Sequence, residues 1–408
     1  MKTFAVPWGA WFGDGPRRFR VPRDFRIEMC PIHGGEPIRP PDVSTALDHP
    51  VDSRPLMDLA RGKQNAVVVV EDLTRPARLA EILPTLLRYL DRAGIPDARI
   101  RIVIGVGGHA PLDHAEMVKK LGRWVVSRYD VLNHHPYENL IHLGTSTRGT
   151  PIHINRYVAE ADLKIAMGSV VPHPYAGFGG GAKIVLPGVA GIETLEANHR
   201  PAVTGVRGAI LDVEHNTARQ EMEKIAMDVG LDFIINAVTD MQRRTIGLFT
   251  GHPVGAHRAA VVAARKAYST PFPRHLPEAI VLNAYPKDTE LLQAGNVFNV
   301  LRAAPKLPVQ VGGTVVVTAA CSQGRGYHSL HGRGMRLYRK PVERTFLAGR
   351  PVIIHAPLLN ERDIRISFWE GYPFERTWRG VIKRLESLFG HSLRMAVFPC
   401  APLQILER

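Results

Sequence analysis

Along the chain, continuous apolar runs alternate with segments in which apolar residues recur every three or four positions. The run Ala66–Val70 is apolar at every position, which is typical of a strand buried on both faces of a parallel sheet. Between Leu79 and Leu90, leucine and isoleucine recur three or four positions apart, and this spacing predicts an amphipathic helix. A Gly-Ile-Pro sequence ends that helix, and a second apolar strand follows at Ile100–Ile104. The order strand, helix, strand predicts a parallel α/β sheet.

The same alternation continues to the end of the chain. Further strands are predicted at Leu163–Met167, Phe233–Val238, Ala279–Leu282, Thr314–Ala319, Val352–His355 and Met395–Phe398. Further helices are predicted at Gly191–His199, Glu221–Asp228, Pro253–Ala267, Thr289–Leu301 and Arg376–Phe389. Three prolines between residues 271 and 277 indicate a domain boundary. We predict two Rossmann-like α/β domains, at 1–272 and 273–408, with the active site in the cleft between them.

The net charge favours an anionic partner. The chain has a formal charge of +14, which attracts phosphates, carboxylates or nucleic acid. Its basic residues are scattered among acidic ones, and no zinc-finger spacing, aromatic RNA-binding strand or long basic run is present. We therefore predict a small anionic ligand and no nucleic-acid partner.

Composition and cysteine content indicate the class of protein. The chain is 45% hydrophobic and 22% charged, as is ordinary for a globular enzyme. No apolar run reaches the ~20 residues that a membrane span needs, and no signal peptide is evident. The three cysteines give neither a disulfide framework nor a metal-binding Cys-x-x-Cys pair. We expect a cytoplasmic protein without a membrane partner.

Polar side chains cluster where three predicted strands end. Asp72 and Arg75 follow the first of these strands. His109 follows the second, after two glycines, and His173 follows the strand that begins at Leu163. Ligands bind beyond the carboxyl ends of strands in such sheets. Arginine suits a carboxylate because its guanidinium can donate two parallel hydrogen bonds.

A glycine-rich segment leads to a single lysine. Gly180 and Gly181 are the last of four glycines before Lys183, and a short predicted helix then ends at His199. Glycines let backbone approach a bound group closely. Taken singly, each residue has an ordinary explanation: a surface lysine in a turn, incidental histidines, or an ion pair between Asp72 and an arginine.

Taken together, these residues indicate proton-transfer chemistry. Two imidazoles beside an anion-binding arginine suit acid–base work on both faces of one carbon, as racemases and epimerases require. The lysine could instead form a Schiff base with a carbonyl substrate.

Several of these motifs, together with others, resemble the nickel-dependent lactate racemase family. The similar segments are DLTRP at 72–76, GGHAP at 107–111, HPYAGFGGGAK at 173–183, LPGVAG at 186–191, NH at 198–199 and YPKDTELLQAGN at 285–296. The resemblance implies a nickel pincer nucleotide, which is the nickel complex of pyridinium-3,5-bisthiocarboxylic acid mononucleotide. By resemblance, Lys183 carries this cofactor through a thioamide beside Gly180 and Gly181, and His199 is the nickel ligand from the protein. Soft sulfur donors plus one imidazole suit nickel.

The resemblance also implies a reaction and roles for the other residues. His109 and His173 exchange the hydroxyl proton of a 2-hydroxy acid while its α-hydrogen moves as hydride to and from the cofactor. Arg75 holds the substrate carboxylate, with Asp72 as its orienting partner. Gln293 and Asn296 lie in the substrate site. The partners are then a small 2-hydroxy acid and the proteins that make the cofactor; the oligomeric state is left open.

Departures from the family pattern favour a substrate other than lactate. Lactate racemases carry a tyrosine before the glutamine and a lysine three residues after it, where this chain has Leu292 and Asn296. Asparagine both donates and accepts hydrogen bonds, so a sugar acid is the favoured substrate class. The alternatives are a metal-free Schiff-base lyase that uses Lys183, and a nucleotide-binding protein without catalytic activity.

Overall fold

A computed structural model describes residues 1–200 and 208–407 and gives an α/β fold. The chain forms two compact units. The middle unit comprises Gly35–Arg265 and His328–Leu330, and the terminal unit comprises Met1–Gly34, Lys266–Tyr327 and His331–Arg408. Within the described residues, no helix is long and apolar enough to cross a membrane.

A mixed sheet forms the centre of the middle unit. Among the described residues, its six strands lie in the order Thr245–Gly251, Phe233–Thr239, Leu163–Ser169, Ala66–Glu71, Ile100–Gly105 and Asp130–Asn133. The first of these pairs antiparallel with its neighbour, and all other pairs are parallel. Every residue of Ala66–Glu71 is buried, as its unbroken apolar run predicts. Two short antiparallel pairs accompany the sheet: Leu140–Thr145 with Pro151–Asn155, and Pro172–His173 with Gly177–Phe178.

Helices accompany this sheet. Those in the described part of the unit are Pro40–Asp48, Leu56–Ala60, Leu83–Arg92, His114–Leu121, Arg123–Arg128, Arg156–Ala159, Ile192–His199, Thr217–Asp228 and Gly255–Tyr268, with 3₁₀ turns at Leu79–Glu81, Asp97–Arg99 and Gly181–Ile184. Leu83, Leu86, Leu87 and Leu90 are fully buried, which confirms the helix predicted from their spacing. The side chain of Asp113 caps the helix His114–Leu121 by accepting the backbone N–H of Glu116.

A parallel sheet forms the centre of the terminal unit. Its described strands lie in the order Phe374–Glu375, Val352–His355, Thr314–Thr318, Ala279–Asn283, Arg394–Phe398 and Arg26–Met29. Helices run over Leu291–Ala294, Asn299–Arg302, Glu361–Ser367 and Trp378–Phe389, with 3₁₀ turns at Gly295–Phe298 and Thr345–Leu347. A hairpin pairs Lys2–Trp8 with Gly15–Val21, and Ser269–Thr270 pairs with Ile405–Leu406. Cys30, Cys321 and Cys400 are buried in this unit, and none of the three forms a disulfide.

The structure differs from the sequence prediction at two places. The single helix predicted over Thr289–Leu301 is three short helical segments, with a 3₁₀ turn that begins at Gly295. Glycine lowers helix propensity, which favours an interruption there. The predicted domains at 1–272 and 273–408 also divide the chain differently from the compact units. Residues 1–34 belong to the terminal unit, because Arg26–Met29 adds a parallel strand beside Arg394–Phe398.

Candidate active site

Three loops of the middle unit leave the same edge of its sheet. The strands Leu163–Ser169, Ala66–Glu71 and Ile100–Gly105 are neighbours and run parallel. Their carboxyl ends therefore meet at one edge, where open α/β sheets bind ligands. The loops that follow carry the aspartate, the arginine and both histidines that the sequence analysis selected.

The carboxylate of Asp72 orients His109. Its Oδ2 lies 2.6 Å from Nδ1 of His109, and its Oδ1 accepts the backbone N–H of Thr74 at 2.9 Å. Because an ionised carboxylate only accepts, Nδ1 of His109 carries a proton, and Nε2 is then the basic nitrogen of the neutral ring. The sequence predicts Asp72 as the orienting partner of Arg75, and in the structure Asp72 is hydrogen-bonded to His109 and Thr74.

Asp72 stays ionised in this environment. Burial by itself raises the pKa of the carboxyl group, since only 4% of the residue is exposed. The charge and hydrogen bond of His109 and the charge of Arg75 outweigh burial and hold the pKa of Asp72 below its ordinary value. An ionised carboxylate stabilises the imidazolium that forms when His109 takes a proton.

Arg75 and the buried Lys120 fix the loop after the first strand. Nη1 of Arg75 donates to Oγ1 of Thr74 at 2.8 Å, and Nζ of Lys120 donates to the carbonyl of Arg75 at 3.0 Å. Lys120 is fully buried and pairs with Glu71 at 2.9 Å. Burial lowers the pKa of Lys120, although Glu71 acts against this. Glu71 also accepts from Oγ of Ser169 at 2.8 Å, so a chain of hydrogen bonds joins two neighbouring strand ends.

His173 is held in the opposite way to His109. Its Nδ1 accepts the backbone N–H of Tyr175 at 3.2 Å and that of Ala176 at 3.0 Å. The neutral ring therefore carries its proton on Nε2. His109 thus offers a basic nitrogen, whereas His173 offers an N–H donor.

His199 has the hydrogen bonding that a metal ligand needs. It ends the helix Ile192–His199, and its Nδ1 donates to the carbonyl of Leu195 at 2.8 Å. This bond places the lone pair on Nε2, as in most metal-binding histidines. The ring of Tyr175 stacks on that of His199 with centroids 5.0 Å apart, which joins the helix end to the loop of His173. Among residues 1–200 and 208–407, no group of three or more histidine, cysteine or acidic side chains is arranged to hold a metal.

Lys183 lies in a 3₁₀ turn that two glycines begin. Gly180 and Gly181 have φ of +74° and +56°, which favour glycine. Within the described residues, the amine of Lys183 makes no hydrogen bond or salt bridge. Burial, and then the charges of Arg75 and Arg219, lower the pKa of this amine to about 7. A large share of Lys183 is therefore uncharged at neutral pH, as a nucleophilic lysine requires.

Glycines allow the loop of the first histidine and the turn after the lysine to meet backbone to backbone. The N–H of Gly107 donates to the carbonyl of Gly188 at 2.9 Å. A Cβ at Gly105 would lie 3.3 Å from the backbone of Gly188, and a Cβ at Gly188 would lie 2.0 Å from the carbonyl oxygen of Ile184. We call Gly105, Gly107 and Gly188 the glycine contact. It has no space for a side chain at Gly188, and it holds the two loops together.

One histidine near the site was missed by sequence reasoning. The ring of His328 lies edge to face against that of His109, with centroids 5.2 Å apart. The N–H of Ser329 donates to the carbonyl of Gly108 at 2.7 Å, and a Cβ at Gly108 would lie 2.9 Å from the ring of His328. The available signal was local: glycines precede this histidine in the sequence, as they precede His109.

Gln293 and Asn296 lie in the terminal unit. Nδ2 of Asn296 donates to the carbonyl of Gln293 at 2.8 Å, and its Oδ1 accepts from Asn299 at 3.2 Å. Their assignment to the substrate site stays a prediction.

Known proteins resemble this chain in sequence and in fold. Residues 12–209 match the lactate racemase N-terminal domain. A lactate racemase from Lactiplantibacillus plantarum is 36% identical over 296 residues, which span 71% of this chain and 68% of that protein. A lactate racemase from Thermoanaerobacterium thermosaccharolyticum is 32% identical over 301 residues, which span 70% of this chain and 66% of that protein.

Two solved structures share the fold. The lactate racemase apoprotein from T. thermosaccharolyticum superposes with a TM-score of 0.75 and 22% identity, covering 100% of both chains. A protein from Thermotoga maritima gives a TM-score of 0.68 and 19% identity, covering 92% of this chain and 100% of that one. Because 36% identity extends over more than two thirds of a curated relative, the chain belongs to the lactate racemase family, a family of isomerases.

Proposed function

We propose that this protein is a racemase or epimerase of 2-hydroxy acids that uses a nickel pincer nucleotide held by Lys183 and His199. The observation that carries the proposal is the state of Lys183, whose amine has a pKa lowered to about 7 and lies beside two positive-φ glycines. His199 fits the second attachment, because its Nδ1 is bonded to a carbonyl and its Nε2 holds the lone pair. The relatives of this chain are named lactate racemases, and the family is nickel-dependent.

When bound, the cofactor supplies a hydride acceptor that takes hydrogen from C2 and returns it. The residues of the chain bind the substrate and handle its hydroxyl proton. Arg75 holds the carboxylate, as a guanidinium fork suits. His109 takes the hydroxyl proton at Nε2, and Asp72 stabilises the resulting imidazolium. Loss of the C2 hydrogen as hydride and of the hydroxyl proton gives the 2-keto acid. Return of the hydride to the opposite face of C2, and of a proton to the oxygen, gives the inverted 2-hydroxy acid.

His173 serves the opposite hand of the substrate. In the present conformation, with Nδ1 accepting two backbone N–H groups, its Nε2–H would donate a hydrogen bond to a bound substrate oxygen. To act as a base at Nε2, it needs a proton on Nδ1, which breaks the bonds from two backbone N–H groups. We therefore propose that its ring turns between the two half-reactions.

The favoured substrate is a 2-hydroxy acid with further hydroxyl groups, such as a sugar acid. Leu292 and Asn296 stand where lactate racemases have tyrosine and lysine, so one cation is lost and space is gained. The amide of Asn296 can both donate and accept.

Mass spectrometry and isotope exchange test the proposal. The protein is produced together with the cofactor-making proteins and nickel, and its intact mass, nickel content and deuterium exchange at C2 of a 2-hydroxy acid panel are measured. We expect an adduct on Lys183, one nickel per chain, and faster exchange with sugar acids than with lactate. His199→Ala should keep the adduct but lose nickel, whereas Lys183→Ala should lose both. Exchange by protein with an unmodified lysine would contradict the cofactor assignment.

A Schiff-base lyase is the second candidate, because the same uncharged amine favours attack on a carbonyl. Borohydride trapping with a 2-keto acid distinguishes the two functions. Trapping at Lys183, with activity that survives His199→Ala, would support the lyase instead.

A further inference from the structure

Three buried side chains hold the glycine turn at residues 179–181. Arg219 donates through both Nη atoms to the carbonyl of the middle glycine, at 3.2 Å and 3.1 Å. Oδ1 of Asn236 accepts the N–H of the last glycine at 2.9 Å, and Nε2 of His257 lies 2.9 Å from the carbonyl of the first. None of the three side chains is exposed. We call Arg219, Asn236 and His257 the clamp.

The clamp fits a turn without side chains. A Cβ at Gly180 would lie 2.7 Å from Oδ1 of Asn236, and one at Gly181 would lie 2.9 Å from the ring of His257. Glu223 accepts from Nε of Arg219 at 2.9 Å, so the buried guanidinium has a fixed orientation. The helix Thr217–Asp228 and the strand Phe233–Thr239, which supply two clamp residues, both pack against the 3₁₀ turn that follows.

We propose that the clamp is a positioning device for Lys183, which it presents in one orientation for attachment of the cofactor. The 3₁₀ turn Gly181–Ile184 starts at the last clamped glycine, so the held backbone lies two residues from the lysine. This inference rests on the proposed function, which places the cofactor on that amine.

The clamp also contributes charge beside the amine. Burial has the largest effect on the pKa of Lys183; Arg75 and Arg219 lower it further, and Asp72 and Glu71 raise it. Asn236 is neutral, and burial and Arg219 keep the pKa of His257 well below its ordinary value, so His257 is uncharged at neutral pH. Removal of Arg219 should therefore change both the position of Lys183 and the charge beside its amine. Removal of Asn236 should change the position of Lys183 alone.

Acetylation of the full-length, cofactor-free protein tests the clamp. Acetic anhydride is applied between pH 6 and 10, and peptide mass spectrometry gives the labelling of Lys183 relative to the exposed Lys266. In the unmodified sequence, labelling of Lys183 should reach half its maximum near pH 7. Arg219→Met should raise this midpoint by about one pH unit, which lowers the labelling rate at pH 7 about fivefold. Arg219→Lys keeps the positive charge, so its midpoint should lie close to that of the unmodified protein.

Asn236→Ala separates position from charge. Its midpoint should stay near that of the unmodified protein, while the fraction carrying the cofactor after co-production falls at least about fivefold, a loss of about 1 kcal/mol in positioning. Lys224→Met, on the exposed face of the clamp helix, is the matched control and should change neither quantity. The clamp would be overturned if Arg219→Met had the same acetylation midpoint as the unmodified protein and Asn236→Ala carried the same fraction of cofactor.

The two proposals fail in different ways. If the unmodified protein carries no adduct, the proposed function fails, and the clamp is then judged by labelling alone. In that case, an Arg219→Met midpoint equal to that of the unmodified protein would overturn the clamp. If Arg219→Met does not fold, as judged by circular dichroism, Arg219→Lys and Asn236→Ala decide.

Discussion

Two histidines at one sheet edge use the same ring nitrogen in opposite ways: Nδ1 of His109 donates, and Nδ1 of His173 accepts. His109 gives its Nδ1 to a carboxylate, and His173 gives its Nδ1 to two backbone N–H groups. One ring is therefore arranged as a base and the other as a hydrogen-bond donor. At the scale of the residue, this asymmetry has a direct test.

Glutamine replaces the donor but not the base. Its side-chain amide can donate from a position close to that of Nε2, but it cannot take a proton. For the enantiomer whose hydroxyl proton goes to His109, His173→Gln should form 2-keto acid in a single turnover within about tenfold of the unmodified rate. Full racemisation should fall by about 10² or more. The matched variant His109→Gln should lose the single turnover as well.

Rapid quenching with each pure enantiomer measures both quantities on the loaded enzyme. Equal loss of the half-reaction in the two variants would contradict the assignment of opposite roles. Survival of the half-reaction in His109→Gln alone would reverse the roles.

Sequence reasoning selected these residues but not their bonds. His109 and His173 follow apolar strands that were predicted to lie in a parallel sheet, so their shared edge was predictable too. The partner of Asp72 was not, because it depends on how two loops fold over that edge. The protonation of His173 depends on the direction of backbone N–H groups two and three residues later. His328 lies 219 positions from His109, and no local pattern links them.

At the scale of elements, the glycine contact sets how closely two loops approach. One loop follows the strand Ile100–Gly105, and the other follows the turn Gly181–Ile184. Their N–H to carbonyl bond is short only because side chains are absent on both sides. This backbone contact thus couples the position of the loop that carries His109 to that of the turn that carries Lys183.

A methyl group at Gly188 should break this coupling. Its Cβ would lie 2.0 Å from the backbone oxygen of Ile184, which cannot turn away as a side chain could. Gly188→Ala should therefore lower the free energy of unfolding by about 3 kcal/mol or more. Gly15→Ala is the control, since its Cβ would meet a single atom at 3.6 Å, and it should change stability by less than about 1 kcal/mol. Urea denaturation followed by circular dichroism compares them; equal midpoints would refute the argument.

Strands were easier to predict than helices. The run Ala66–Val70 needs no context to be a buried strand, because all its side chains are apolar. The segment Thr289–Leu301 has helical spacing, but the local choice between one helix and three short segments depends on Gly295 and on tertiary packing. The hydrophobic pattern thus predicts whether a segment is a strand or a helix more readily than whether that helix is continuous.

At the scale of the molecule, the division of the chain was harder to foresee. The proline cluster near residue 272 lies close to the start of the long terminal segment at Lys266. The membership of residues 1–34 depends on one strand pairing across more than 360 positions, Arg26–Met29 with Arg394–Phe398. His328–Leu330 likewise joins the middle unit from a distant part of the sequence. Such long-range pairings carry no local signal.

The buried thiols provide an intrinsic probe for unfolding of the terminal unit. Cys30, Cys321 and Cys400 all belong to the terminal unit, and each is 2% exposed or less. Burial and the charge of Glu28 raise the pKa of Cys30 to about 12, so its reactive thiolate is scarce in the native state. A chromogenic disulfide reagent at pH 8 should therefore find no thiol in native protein and three in urea. The colour of this reagent would report unfolding of the terminal unit, and acetylation of Lys183 would report unfolding of the middle unit. The two units can therefore be followed separately in one protein without an added probe.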